Sequence, residues 1–157
     1  PWSPGPRRGT RVSKGAANLL DRAIWLLLQR SELWDHLDGA AHDLLAAQPG
    51  PYDALFSGIE RSVHEHGPLA PAALLDELRQ AVGATGEGPV VLARIAALHD
   101  PEPESDIAGE LARVLAKLRL KLVDDELKLL FETDATSPDA LRRGRELMEE
   151  RSRLKAS

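Results

Sequence analysis

From Ile107 to Phe131, apolar side chains recur at spacings of three and four with no proline among them: Ile107, Leu111, Val114, Leu115, Leu118, Leu122, Val123, Leu127, Leu130 and Phe131. That period lays an apolar stripe along a single α-helix of about 27 residues, ~40 Å long at ~1.5 Å per residue. Such a helix is longer than a bundle of short helices is wide, so its C-terminal half is expected to project beyond one. Ser105 is the expected N-cap, with Glu104 and Asp106 beside the positive end of the helix dipole. Thr133 to Thr136 then supply a turn. Ser137, Pro138 and Asp139 open a last helix bearing Leu141, Leu147, Met148 and Leu154. The two helices are predicted to fold back as a hairpin.

Upstream, the chain reads as short helices punctuated by proline and glycine. Leu19 to Leu28 is apolar nearly all round, as befits the central helix of a bundle. Ser31 is placed to cap a second short helix through Glu32, Leu33, Trp34 and Leu37, and Ala40 to Ala47 add a further turn or two. A helix opening near Asp53 sets Leu55, Phe56, Ile59 and Val63 on one face, and Gly67 and Pro68 end it. Pro71 suits the first position of a helix over 71–82, since its missing N–H is not needed there, and Leu74, Leu75 and Leu78 follow as its buried face. Val91 to Leu98 form one more helix before Asp100, Pro101, Glu102 and Pro103 close this half. The fold class is therefore all-α: a bundle of short helices joined by a long helix to a C-terminal helical hairpin.

Composition agrees with that pattern. Leucine (27) and alanine (22) outnumber valine, isoleucine and threonine together (15), which favours helix over strand. There is no cysteine, so disulfides and cysteine-based metal sites are excluded. No apolar run reaches the ~20 residues of a bilayer span, and the opening residues lack the apolar core of a secretory signal. A cytoplasmic location, and a fragment of a longer protein, are the expectations. Residues 1–15 carry Arg7, Arg8, Arg11 and Lys14 with no acid, so the rest of the chain bears −9 of a total of −5. We read three parts: a flexible basic linker over 1–15, a helical bundle over 16–118 and the hairpin over 119–157. The linker leaves open an all-α accessory domain that binds nucleic acid through this segment. The acidic body opposes that alternative, since duplex binding must neutralise phosphates.

Little here points to catalysis. His36, His42, His64, His66 and His99 form no metalloprotease-type pair, no glycine-rich segment follows a strand, and no metal or cofactor is expected. Asp124, Asp125 and Glu126, and Glu146, Glu149 and Glu150, sit among Lys121, Lys128, Arg145 and Arg151, as on solvated helix faces. Gly144 is costly inside a helix, by about 1 kcal/mol relative to alanine, and is expected to mark a close helix approach. A two-helix hairpin has a marginal core of its own, so apolar residues left exposed on it would form a docking surface. For Leu127 and Leu130 the pattern allows either zipping of the helices or partner contact.

In element order the chain resembles the C-terminal helicase-binding domain of bacterial DnaG-type DNA primase. LLDRAIWLLLQRSEL (19–33) resembles the family's opening helix through its R-x-I-x-L-L-L-Q-x-x-E-L pattern, and YDALFSGIERSVHEHGPLAPAALLDELR (52–79) resembles the next portion. The similarity continues through VVLARIAAL (90–98) and the hairpin, covering about residues 16–155. The resemblance implies a non-catalytic domain, monomeric when isolated, that docks on the N-terminal domains of the hexameric replicative helicase and couples priming to the fork. The parent's polymerase domains would precede Pro1. Helicase contact is expected at Leu127, Leu130, Phe131, Leu141, Arg142, Arg145, Leu147, Met148, Arg151 and Leu154. The resemblance further implies that the acidic tail of single-stranded DNA-binding protein is received at Arg22 and Arg94. Neither direct nucleic-acid contact nor a membrane is expected.

Overall fold

A computed structural model describes residues 14–98, 106–133 and 137–156. Arg7, Arg8 and Arg11 of the lead-in, His99, the expected cap Ser105 and the turn at 134–136 lie outside the described residues. Those described form eight α-helices and no strand: α1 (Lys14–Gln29), α2 (Leu33–His36), α3 (Gly39–Ala46), α4 (Tyr52–His66), α5 (Pro71–Val82), α6 (Glu87–Ala96), α7 (Ile107–Glu132) and α8 (Pro138–Ala156). The chain divides into two compact units, Pro1–Leu111 and Ala112–Ser157, with α7 running from the first into the second.

In the first unit α1 is the axis. Leu20, Ala23, Ile24, Leu26 and Leu27 have no exposed surface, so the run that is apolar all round is indeed surrounded. Each large side chain buried there contributes roughly 1.5–3 kcal/mol. α4, α5 and α6 pack on α1, and α4 lies along α5. Leu55, Phe56, Ile59 and Val63 of α4 and Leu74 and Leu78 of α5 fill the space between them. The α4–α5 approach depends on Gly58, where a Cβ would come within 2.9 Å of Leu78 Cδ2 and 3.3 Å of Ala81 Cβ.

Two capping assignments differ from the sequence reading. Ser31 does not cap α2, whose N-cap is Glu32 without a side-chain bond. Its buried hydroxyl instead donates to the Leu69 carbonyl at 2.9 Å and accepts from the Leu69 N–H at 2.8 Å, fastening the α4–α5 connection to the end of α1. The cap that sequence reasoning misses is Asp38, which accepts from the Ala41 N–H at 2.8 Å to start α3. At the start of α7 the Asp106 carboxylate accepts from the Gly109 N–H at 3.0 Å.

The second unit is the antiparallel pairing of α7 with α8. Ser137 caps α8, its hydroxyl accepting from the Ala140 N–H at 3.1 Å. Val123, Leu127 and Leu147 form a small core with Leu154 packed against it. Ion pairs close both flanks: Arg151 with Asp124 at 2.7 Å on one, Arg143 with Glu126 at 2.9 Å and Arg119 with Glu150 at 2.8 Å on the other. Gly144 does not mark a tight crossing. A Cβ there would lie 3.4 Å from Leu130 Cδ2, an ordinary contact.

The two glycines therefore respond oppositely to alanine. Gly58→Ala is expected to destabilise by about 1 kcal/mol or more through overpacking, despite alanine's better helix propensity. Gly144→Ala is expected to stabilise by up to about 1 kcal/mol. Urea unfolding of the two variants measures both, and a lower midpoint for Gly144→Ala would restore the close approach.

Candidate functional site

The flanking ion pairs fix which exposed side chains share a face of the hairpin. Phe131 follows Asp124 by seven residues on α7. Met148 precedes Arg151 by three on α8, and Leu141 precedes Met148 by seven. Residues at these spacings lie on the same side of a helix. Because Asp124 and Arg151 are bonded, Phe131, Leu141 and Met148 belong to one face. They are 66%, 55% and 47% exposed. Leu122 and Leu129, also exposed, lie instead on the flank of Glu126 and Arg119. The exposed apolar set thus divides between two faces, and only the first draws on both helices.

The residues expected at the helicase contact separate accordingly. Phe131, Leu141 and Met148 reach the surface. Leu127 and Leu147 belong to the hairpin's own core, with Leu154 against it and Leu130 half-buried, because two helices alone can cover only the side chains between them. Arg142 reaches back one turn to Asp139 at 2.7 Å, Arg151 holds Asp124, and Arg145 is exposed.

Arg22 and Arg94 do not lie open as a basic groove. Arg94 donates through Nε to Asp21 Oδ2 at 2.8 Å and through Nη2 to Asp21 Oδ1 at 3.1 Å and the Tyr52 hydroxyl at 3.0 Å. The Tyr52 hydroxyl in turn donates to Asp21 Oδ1 at 2.6 Å. Asp21 and Tyr52 are buried, whereas half of the Arg94 side chain is exposed. Arg22 pairs with both carboxylate oxygens of Glu110, its Nη2 donating to Oε1 at 2.8 Å, and its guanidinium carbon lies 4.5 Å from the Trp25 ring centroid. Trp25 donates from Nε1 to the Leu98 carbonyl at 3.1 Å. Each arginine is thus half of a charge-assisted clamp: one joins α1, α4 and α6, the other ties the first turn of α7 to α1.

Comparison with family models, curated proteins and solved structures finds no match to this chain. Among the described residues no helix is long and apolar enough to cross a membrane, and no three His, Asp or Glu side chains are grouped to hold a metal ion.

Sequence reasoning misses Asp21, Tyr52 and Glu110. A signal for Asp21 is nonetheless present: it is the lone acid of α1 and adjoins that helix's apolar run, and a buried charge needs a partner. Burial first, and then the hydrogen bond to Asp21, pushes the Tyr52 phenol well above its ordinary value of 10.0. A raised folded value means that the stability this group contributes is present below pH ~10 and is lost as pH rises above it. Tyr52 is the only tyrosine, so phenolate absorbance reports it alone. Ionisation is expected to be delayed past pH 10 and to coincide with alkaline unfolding, while Tyr52→Phe is expected to cost about 1 kcal/mol at neutral pH and to reduce the alkaline loss. A phenol titrating near pH 10 in the folded chain would contradict the clamp.

Proposed function

We propose that this chain is a cytoplasmic docking module, the helicase-binding C-terminal domain of a bacterial DnaG-type primase. The observation that carries this reading is the exposed apolar face of Phe131, Leu141 and Met148 on a two-helix unit whose own core is only a few residues deep. Its further support is the family-like order of elements, short helices followed by a long helix and a terminal hairpin. Medium and large apolar side chains grouped on one helical face suit insertion into an apolar groove between partner helices. Arg142 and Arg145 would act at the rim, on orientation and encounter rate more than on affinity.

The acidic tail of single-stranded DNA-binding protein is a secondary partner in this proposal. At Arg22 or Arg94 a tail carboxylate competes with Glu110 or Asp21, and Arg94, with half of its side chain exposed, is the better placed of the two.

Replacing Phe131, Leu141 and Met148 together by serine is expected to weaken binding to the hexameric helicase of the source organism at least tenfold, with helix content and melting unchanged. Unchanged affinity would remove the hairpin face from the docking role. Tight DNA binding by the unaltered chain, falling steeply with salt, would favour a nucleic-acid-binding module instead.

A further inference from the structure

A cavity of about 250 Å³ opens between α2–α3 and α4, lined by no residue of the hairpin and by none of either clamp. Phe56, 1% exposed, and Trp34, 4% exposed, give it aromatic walls, and Ala46 and Ala54 leave it open because their side chains stop at Cβ. His42 stacks on Trp34, with ring centroids 4.5 Å apart and planes 22° from parallel. His42 Nε2 lies 2.8 Å from the Trp34 carbonyl, a hydrogen bond that places the proton on Nε2 and holds the ring against the indole. Along the mouth run Asp53, Ser57 and Glu60, spaced i, i+4, i+7 on one face of α4, all three exposed. Among the lining residues His42 is the one group able to carry a positive charge; Arg61, His64 and His66 of α4 do not line the cavity.

Size, walls and charge each narrow the occupant. The volume is below the roughly 300–1,000 Å³ of sites that enclose a drug-sized ligand, and suits one long side chain better than a cofactor. Aromatic walls favour a flat apolar or cationic group, and two carboxylates with no lysine or arginine among the lining residues favour a cation. A guanidinium meets both requirements, since it stacks on aromatic rings and presents forked donors to carboxylates, whereas an ammonium is a compact and strongly hydrated charge.

We propose that this cavity receives an arginine side chain presented by a partner peptide, held between the aromatic walls and the Asp53 and Glu60 carboxylates. It would be a second docking point, sharing no residue with the hairpin face.

The test is a titration of the ¹⁵N-labelled full chain with a blocked Gly-Arg-Gly peptide, followed through the Trp34 indole and the Ala46, Ala54 and Ser57 amides. Saturable shifts confined to these groups are expected. The citrulline and lysine peptides are expected to bind at least fivefold more weakly. The double variant Asp53→Asn with Glu60→Gln is expected to lose at least fivefold in affinity. Ala54→Leu, which fills the cavity and leaves every charge in place, is expected to abolish the response while helix content is unchanged. Equal binding of the citrulline peptide, or shifts that persist in Ala54→Leu, would overturn the proposal. Tighter peptide binding after Arg7, Arg8 and Arg11 are changed to glutamine would also overturn it, by assigning the cavity to the chain's own arginines.

Discussion

A carboxylate buried beside the most enclosed stretch of a helix has little water to turn to, and Asp21 of α1 is in that position. Uncompensated, such a charge costs several kcal/mol, enough to cancel the burial of two or three leucines. Tyr52 and Arg94 answer it with three hydrogen bonds to its two oxygens. Those bonds need the first turn of α4 and the last turn of α6 to arrive at the same point on α1. Hydrophobic burial alone would allow these helices to slide and rotate on the apolar surface of α1 at little cost. Directional bonds to one carboxylate remove that freedom. The clamp thereby also sets the α4 face on which Ser57, Glu60 and the aromatic cavity lie.

The second unit solves a different problem. Val123, Leu127 and Leu147 supply little burial, and most of α8 is exposed. Register between the two helices is therefore set largely by charge, with Asp124 and Arg151 on one flank, and Glu126 with Arg143 and Arg119 with Glu150 on the other. Exposed pairs of this kind contribute about 0–1 kcal/mol each, so they select a register more than they hold the helices together. Such a unit gains substantially from further apolar burial. That is the physical basis for expecting Phe131, Leu141 and Met148 to be covered by a partner.

Much of this architecture is legible in the sequence itself. Periodicity locates all eight described helices to within a few residues, because leucine at three- and four-residue spacing and Pro71, Gly67 and Ser137 at the ends are local signals. The misreadings come from interactions with no local signature. Ser31 looks like a cap because serine before a helix usually is one, but its hydroxyl is bonded to Leu69, 38 residues on. The carboxylates that Arg22 and Arg94 hold, 88 and 73 residues away, likewise leave no trace in the sequence around either arginine. Within the hairpin, the stripe marks both Leu127 and Phe131 as apolar. Only the pairing of α7 with α8 decides that the first is enclosed and the second exposed.

Arg22, Arg94, Arg119, Arg143 and Arg151 each hold a carboxylate across elements, so these five guanidiniums are committed within the fold. Asp53 and Glu60, by contrast, line a cavity whose lining includes no lysine or arginine. Phosphate recognition at any of these five arginines would require its ion pair to open, at the cost of the buried Asp21 in the case of Arg94. Apolar docking at the hairpin and capture of a cation at the α4 cavity require no such rearrangement, which is why both proposals build on surfaces the folded chain already offers.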